Sequence, residues 1–247
     1  MLLKSFFDLN RATAPAKQFR VKLARTTNDI KRAISIRPEK YAKHDPSFLF
    51  DLLGAEADDV SPDSIVIFAE DSELGEVLGT FRLEGNFSSS IYEEHIPTIA
   101  KYIPSGRLVS VSRLVVNATA RRAEIKFALF KAAVKLCQAF QVNWLVVSAL
   151  PPMDLQFGGV LAFEHLLPDG EYFERPDVPE AKFLLMGLDI AKCSENMRKH
   201  DPALYKYFFE EFTPEIEIFG SLSSSVSNFR RADRTSDNYI AQYTFAL

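Results

Sequence analysis

A chain of 247 residues and 27.9 kDa is long enough to bury a sizeable core in one large domain or two small ones. The hydrophobic fraction of 47%, the charged fraction of 25% and the net charge of −4 exclude a disordered chain and a nucleic-acid-binding polycation. The two cysteines are too few for a disulfide framework or a zinc site, and no apolar run reaches the roughly 20 residues of a membrane helix. These features predict a cytoplasmic protein with no nucleic-acid partner.

The basic residues are concentrated at the start of the sequence. Residues 1–25 contain six basic residues and one acidic residue, which gives a net charge of +5. The apolar side of a short helix in this stretch is formed by Leu2, Leu3, Phe6, Phe7 and Leu9. We predict that residues 1–18 form a basic apolar arm. Two interpretations stay open: the arm packs on the core with its charges in solvent, or it contacts an anionic membrane surface or an acidic carrier protein.

The next residues predict a strand and a helix. Residues 19–24 alternate between apolar and polar side chains, as the residues of a half-buried strand do. Thr26 or Thr27 caps a helix that runs toward Ile36. Pro38 cannot continue that helix, so it marks either a break or a new helical turn.

A hairpin and a long connection follow. Compact apolar runs at 64–70 and 77–84 are separated by turn residues and predict two antiparallel strands. The connection over 85–106 contains one predicted helix, at 92–102.

The middle of the chain predicts a β–α–β unit. A strand at 108–116 precedes apolar residues spaced at a period of 3.6, which predict a helix over 122–140 with Lys131 away from its apolar stripe. The near-continuous apolar run at 144–150 is typical of a strand that is buried on both faces. A crossover helix between two strands predicts that these strands pair in parallel.

The remaining residues give weaker signals. They predict a helix near 155–167, a strand at 182–190 and a helix at 202–212 with Phe212 on its inward side. We expect residues 221–247 to form a serine-rich loop and a C-terminal segment.

These elements predict a single mixed α/β domain over residues 19–220. Its sheet is antiparallel early and gains a parallel pair around the long helix. The sequence contains no glycine-rich phosphate loop, no zinc-protease motif and no nucleophile elbow. Its four histidines occur at no ligand spacing, so we expect no metal cofactor.

An ordered series of short motifs spans roughly residues 20–215. The series begins with Val21–Ala24, Ile36, Arg37 and Tyr41. It continues with Gly79, Arg82 and Leu83 in a Gly-x-x-Arg-Leu strand, and with Ser112, Arg113 and Val116 in a Ser-Arg-apolar-x-Val strand. It ends with Arg121, Arg122 and the segments 157–165 and 171–189. This series resembles the GNAT-fold N-acyltransferases, and more narrowly the long-chain N-acyl amino acid synthases, which are relatives of the acyl-homoserine lactone synthases.

The resemblance implies a fold in which two central strands separate beside Val115. The backbone of Val115 and Val116 is then expected to bind the pantetheine arm of an acyl thioester, as an added strand would. The donor's phosphate is expected at the turn and helix start that contain Arg121, Arg122, Ala123 and Glu124. The donor itself is an acyl-CoA or the phosphopantetheine of an acyl carrier protein.

The resemblance also implies aminolysis of the thioester by a small amine such as an amino acid. Arg82 and Arg113 are candidate partners for the carboxylate of such an acceptor, since an unpaired guanidinium in an apolar strand is costly. Glu84 either accepts the proton of the amine or orients Arg82, and a structural Arg–Glu pair is the open alternative. The residues expected to line the acceptor site are Tyr41, His44 and Ser112.

The sequence departs from the family at three places. Ser110 occupies the position of a glutamate in acyl-homoserine lactone synthases, and Gly158 occupies that of a tyrosine that protonates the leaving thiolate. The donor-binding turn lacks its glycines and contains Glu124, which favours a carrier protein over CoA as the donor. Two alternatives therefore stay open: a protein that binds an acyl thioester or lipid without turnover, and an acetyl-CoA-dependent N-acetyltransferase.

Overall fold

The computed structural model describes residues 19–43, 52–85, 102–103, 106–117, 122–175 and 178–219. Several predictions concern residues outside these ranges and stay predictions. They concern the arm over 1–18, His44, residues 92–101 of the helix predicted at 92–102, the turn over 118–121 with Arg121, and the segment 221–247.

Within the described ranges the chain forms eight strands and six α-helices. The strands are β1 (Phe19–Leu23), β2 (Ser64–Asp71), β3 (Val77–Glu84), β4 (Leu108–Val116), β5 (Trp144–Ala149), β6 (Glu164–His165), β7 (Phe173–Arg175) and β8 (Val178–Asp189). The helices are α1 (Thr27–Ile34), α2 (Arg37–Tyr41), α3 (Arg122–Ala139), α4 (Met153–Leu161), α5 (Cys193–His200) and α6 (Pro202–Tyr205). A 3₁₀ helix spans Ala57–Val60, and a π-helical turn spans Lys206–Glu210.

The strands form a mixed sheet in the order β1-β2-β3-β4-β5-β8-β6, with β7 also paired to β8. Antiparallel pairing dominates, for example between β1 and β2 and between β5 and β8. β4 and β5 pair in parallel, and α3 connects them along the chain. The predicted mixed α/β fold with a parallel pair around the long helix is therefore confirmed.

The parallel pairing covers only part of both strands. Its register begins at Leu108 with Trp144 and ends at Val111 with Val147. Both strands continue beyond that point, β4 as far as Val116 and β5 as far as Ala149.

Contacts divide the chain into two compact units. The first contains residues 1–82, 113–132 and 213–247, and the second contains residues 83–112 and 133–212. The division therefore falls inside β3 and inside β4, so each of these strands contributes residues to both units.

In the first unit, α1 packs against β2 and the start of β3. Thr26 caps this helix: its hydroxyl accepts a hydrogen bond from the Asp29 backbone N–H, and the Asp29 carboxylate accepts one from the Thr26 backbone N–H. The buried apolar residues of this contact are Ala24, Ile30, Ala33, Ile34, Val66, Phe68 and Val77. Pro38 lies in the first turn of α2. Backbone N–H groups in the first turn have no acceptor within the helix, so a proline there costs no hydrogen bond.

Gly79 allows α3 to approach the sheet of the first unit closely. A Cβ atom at this position would lie 3.0 Å from Ile125 Cγ2 and 3.3 Å from the carbonyl oxygen of Val115. The glycine of the Gly-x-x-Arg-Leu motif is therefore a packing requirement between β3, β4 and α3.

In the second unit, β4, β5 and β8 enclose a separate core. Its buried residues are Leu108, Val146, Leu167, Phe173, Phe183 and Leu185. Following β8, α5 buries Cys193 and Met197, one turn apart. Burial raises the pKa of the Cys193 thiol to about 11.

Lys131 is fully buried in α3, and its Nζ donates a hydrogen bond to Thr213 Oγ1. Thr213 therefore contacts the part of α3 that carries Lys131. One side-chain prediction is wrong. Phe212 is 87% exposed, because the helix of this region ends at Glu210 and does not carry the inward stripe as far as residue 212.

No helix in the described ranges combines the length and the apolarity needed to cross a bilayer.

Candidate functional site

A cluster of buried and half-buried charged side chains lies in the first unit. We call it the arginine cluster, and its members are Arg37, Glu56, Asp59, Arg82 and Arg113. Arg37 begins α2, Arg82 lies on β3 and Arg113 lies on β4, while Asp59 lies in the 3₁₀ helix and Glu56 is its N-cap residue. The Glu56 and Asp59 carboxylates are thereby held at the 3₁₀ helix, close to three guanidinium groups.

Asp59 is the centre of the hydrogen bonds in this cluster. Arg37 Nη1 donates to both Asp59 carboxylate oxygens, at 2.8 and 2.9 Å. Arg82 Nη1 donates to Asp59 Oδ1 at 3.1 Å and to Glu56 Oε2 at 3.1 Å. The side chain of Asp59 is 0% exposed, and those of Arg37 and Arg82 are 1% and 3% exposed. These are charge-assisted contacts in a site that excludes bulk solvent, where each such contact is stronger than at the surface.

Glu56 joins Arg113 to the other two arginines. Arg113 Nε donates to Glu56 Oε2 at 2.7 Å, and Arg113 Nη2 donates to Glu56 Oε1, so the contact is bidentate. Burial raises the pKa of Glu56, but the hydrogen bonds and charge of Arg113, together with the charges of Arg82 and Arg37, outweigh this effect. The pKa of Glu56 is therefore held below its usual range, and this carboxylate is a poor proton acceptor at neutral pH.

The backbone of β4 is distorted at Arg113. This residue has φ = 54°, in the left-handed region that non-glycine residues rarely adopt. A left-handed residue inside a strand interrupts the regular alternation of side chains and redirects the side chain at that position. The Arg113 guanidinium lies over the Tyr41 ring, 5.7 Å from its centroid, which gives the strained residue a second anchor in addition to Glu56.

Arg37 has buried N–H groups for which the described part of the chain offers no acceptor. Its Nη1 donates to Asp59, whereas Nε and Nη2 are both buried and have no hydrogen-bond partner among the described residues. Desolvation lowers the pKa of Arg37, against the opposing charge and hydrogen bonds of Asp59.

A second polar cluster lies in the second unit. We call it the Glu84 cluster, and it consists of Glu84 at the end of β3 with Ser110 and Ser112 on β4. Ser112 Oγ donates a hydrogen bond to Glu84 Oε1 at 2.5 Å, whereas Ser110 Oγ lies 3.4 Å from Glu84 Oε2. The Glu84 carboxylate therefore lies beside Ser110. Ser110 is the residue that occupies the position where the family resemblance leads us to expect a glutamate.

The remaining predicted site residues are placed as follows. Val115 and Val116 end β4 with 5% and 6% exposure, beyond the last residue that pairs with β5. Arg122 begins α3, where Ala123 is half-buried and Glu124 is exposed. Arg121 and His44 lie outside the described residues.

Gly158 has a packing role in α4. A Cβ atom at this position would lie 3.3 Å from Met186 Cε and 3.5 Å from the carbonyl oxygen of Phe163. The glycine thus lies at a tight contact between α4 and β8, at the position where the sequence resemblance leads one to expect a tyrosine.

Sequence analysis singled out Arg82, Arg113, Glu84 and Ser112, which the structure places in the two clusters, but it did not single out the carboxylates of the arginine cluster. Glu56 and Asp59 lie in a polar segment and are separated from Arg82 by 26 and 23 residues. One signal was available: two arginines inside apolar strands require buried counter-charges, and the only strand carboxylate we considered was Glu84.

Known structures share this fold. No protein-family model matches the sequence, and no curated protein matches it either. The structure of BjaI, a CoA-dependent acyl-homoserine lactone synthase with MTA, is 16% identical over 81% of this chain and 93% of BjaI, with a TM-score of 0.56. The acyl-homoserine lactone synthase LasI is 9% identical over 76% of this chain and 96% of LasI, with a TM-score of 0.53.

A third structure is FeeM, an N-acyl amino acid synthase from uncultured soil microbes. It is 16% identical over 72% of this chain and 96% of FeeM, with a TM-score of 0.49. The matches to BjaI and LasI show that this chain has the GNAT-like fold of acyl-homoserine lactone synthases. The fold that the sequence resemblance predicts is therefore confirmed.

Proposed function

We propose that this chain is an N-acyltransferase that moves a long-chain acyl group from a thioester to the amine of a small acceptor such as an amino acid. The observation that carries the proposal is the contact between Ser112 and Glu84, which holds a carboxylate beside Ser110 on a fold shared with acyl-homoserine lactone synthases. In this proposal, the carboxylate of Glu84 on β3 takes the role of the glutamate that acyl-homoserine lactone synthases have at the position of Ser110.

The reaction requires one proton acceptor and one proton donor. The amine nitrogen attacks the thioester carbonyl carbon, a C–N bond forms and the C–S bond breaks. Glu84 accepts the proton that the amine loses, and the departing thiolate takes up a proton relayed through solvent. A backbone N–H of β4 stabilises the oxyanion of the tetrahedral intermediate.

The donor is an acyl thioester whose pantetheine arm lies along the backbone of Val115 and Val116. The partial register between β4 and β5 supports this assignment, since pairing ends at Val111, four residues before Val115. Arg121, Arg122 and Ala123 bind the phosphate near the start of α3. Glu124 is exposed at this helix start and repels additional phosphates, which favours an acyl carrier protein over CoA.

The acceptor site includes Tyr41, His44 and Ser112. Arg82 and Arg113 act on it as positioning residues, because both donate hydrogen bonds to Glu56. Residues 1–25 have a net positive charge. In this proposal they contact an acidic carrier protein or the anionic membrane surface that faces the cytoplasm.

Product formation tests this function. The purified full chain is incubated with dodecanoyl-CoA or dodecanoyl acyl carrier protein and the twenty amino acids, and N-dodecanoyl products are measured by mass spectrometry. We expect product, and more from the carrier-protein donor. The absence of product with both donors, while the protein retains bound thioester, would support the alternative of a binding protein without turnover.

Glu84→Gln separates a catalytic role from a structural one. Loss of a general base lowers rates by about 100-fold or more, so we expect at least this loss in kcat with little change in the unfolding free energy. Glu73→Gln is the matched control, because Glu73 is an exposed residue of the turn before β3. Equal activity of Glu84→Gln and the wild type would contradict the assignment of the base.

A further inference from the structure

The exposed side of α4 is an unexplained feature of the second unit. The first turn of this helix and the residues just before it expose five apolar side chains, those of Leu150, Pro151, Pro152, Met153 and Leu155. We call these five residues the α4 tip. Leu155 is 69% exposed and Leu150 is 43% exposed. Single exposed apolar residues are normal on protein surfaces, whereas a contiguous group is typical of a contact surface.

The exposed side of α4 also carries no charge. Its exposed residues are Met153, Leu155, Gln156 and Gly159. The one charged residue of α4, Asp154, is half-buried, and its Oδ1 atom is buried. Because a helix without a charged face is normally covered on all sides, the exposed side of α4 is suited to an apolar environment.

Basic residues lie next to the other end of α4. The last turn of α5 contains Arg198, Lys199 and His200. His200 Nε2 lies 2.8 Å from the carbonyl oxygen of Gly159, and this contact joins the ends of the two helices. The Lys199 side chain is 72% exposed and pairs with the exposed Glu195. Such surface pairs contribute little to stability, so the Lys199 ammonium is able to exchange this partner for another anion.

The spacing between the α4 tip and this basic turn suits a lipid interface. Gly159 follows Met153 by six residues, which correspond to about 9 Å of helix. Interfacial segments bury their apolar side chains about 5–10 Å into the boundary between headgroups and acyl chains. Insertion of the tip to this depth leaves the basic turn at the level of the lipid phosphates, whose negative charge is complementary to it. A soluble protein partner requires no such separation of apolar and basic groups by depth.

We propose that the α4 tip inserts into the interface of an anionic lipid bilayer, while the last turn of α5 contacts the headgroup phosphates. This surface lies outside the arginine cluster and the Glu84 cluster, and the inference does not depend on the proposed N-acyltransferase function. The contact is additional to the one that we propose for residues 1–25.

An environment-sensitive label at residue 155 tests this contact directly. The full chain with Leu155→Cys is labelled with an NBD maleimide and mixed with vesicles of phosphatidylcholine and phosphatidylglycerol in equal amounts. Both native cysteines are buried, so the label attaches at the introduced thiol. Leu74→Cys is the matched control, because Leu74 is 65% exposed in the turn between β2 and β3 of the first unit. A thermal melt confirms that each variant is folded.

We expect the vesicles to shift the emission of labelled Leu155→Cys to shorter wavelength and to leave that of labelled Leu74→Cys unchanged. Leu155→Glu should lower the vesicle partition coefficient about tenfold or more, since it removes a buried leucine side chain. Leu74→Glu should not change this coefficient. Vesicles of phosphatidylcholine alone should bind the chain more weakly, because they lack the anionic headgroup.

The basic turn is tested with a second pair of variants. Lys199→Gln should lower the partition coefficient into the anionic vesicles about fivefold. Lys43→Gln is the matched control and should leave it unchanged, because Lys43 is also exposed and also pairs with a glutamate four residues earlier.

Four results would overturn the proposal. They are an unchanged emission of labelled Leu155→Cys with vesicles, equal shifts at both labelled positions, equal binding to vesicles with and without phosphatidylglycerol, and a shift that depends on protein concentration without vesicles. The last result would instead assign the α4 tip to a contact between two copies of this chain. A large loss of thermal stability in Leu155→Glu would also contradict the proposal, because it would show that Leu155 packs against the rest of the chain.

Discussion

The arginine cluster and the Glu84 cluster both fix carboxylates beside β3 and β4, but they use different donors. In the first cluster, Glu56 and Asp59 accept hydrogen bonds from guanidinium groups, which are permanently charged. In the second cluster, Glu84 accepts a hydrogen bond from the neutral hydroxyl of Ser112.

This difference separates a structural carboxylate from a candidate base. A guanidinium stabilises the ionised carboxylate and opposes its protonation, as the lowered pKa of Glu56 shows. A hydroxyl orients a carboxylate without adding a positive charge beside it. We therefore propose a positioning role for the arginine cluster and proton transfer for Glu84.

Removal of Asp59 is expected to have the largest effect on stability. Asp59→Ala leaves the buried guanidiniums of Arg37 and Arg82 without their shared acceptor, and breaking a buried ion pair on one side costs about 3–5 kcal/mol. We expect a loss of this size in the free energy of unfolding, measured by urea denaturation.

The control for this variant is the neighbouring aspartate. Asp58→Ala removes a carboxylate that is 67% exposed, and such surface pairs contribute about 1 kcal/mol or less. An equal loss in the free energy of unfolding for the two variants would show that the buried ion pairs of Asp59 stabilise the fold no more than a surface pair does.

Glu56→Gln is expected to have an intermediate effect that depends on pH. Hydrogen bonds to charged groups contribute about 1.5–3 kcal/mol, so we expect a loss of about 2 kcal/mol at pH 7. The folded state lowers the pKa of Glu56, so its contribution is complete above the unfolded pKa of about 4.3 and is lost as the pH falls through the lower folded value.

Unfolding curves of the wild type and Glu56→Gln between pH 2 and 8 check this sign. The difference between the two proteins should be constant above about pH 5 and should shrink below about pH 4. Glu195→Gln is a surface control, since Glu195 is exposed and paired with Lys199. A difference that grows as the pH falls would contradict the ionised state of Glu56.

Local patterns predict the elements that carry both clusters. The predicted bounds of β3 and β4, at 77–84 and 108–116, agree with the structure, because alternation and turn residues are properties of adjacent positions. By contrast, α5 is missing from the prediction. It buries only Cys193 and Met197, and two apolar positions do not establish a helical period.

Local patterns do not predict which residues pair within the arginine cluster. Arg113 and Glu56 are 57 residues apart, and no pattern of neighbouring residues connects them. The left-handed conformation of Arg113 is similarly unpredictable, because arginine has no preference for positive φ and the surrounding contacts impose it. Sequence therefore predicts which charged residues lie in apolar strands, whereas the tertiary structure decides which groups satisfy them.

Ser112→Ala is expected to have the smallest effect and tests the Glu84 cluster most finely. The variant removes the 2.5 Å hydrogen bond to Glu84 and leaves the carboxylate in place. A single hydrogen bond contributes about 1 kcal/mol, which corresponds to about a fivefold loss in rate if its role is to orient the base. Ser110→Ala is the matched control, because its longer contact of 3.4 Å predicts a smaller loss in kcat under the same acyltransfer assay. Equal losses from both serines, or a larger loss from Ser112→Ala than from Glu84→Gln, would show that the hydroxyls do more than hold Glu84.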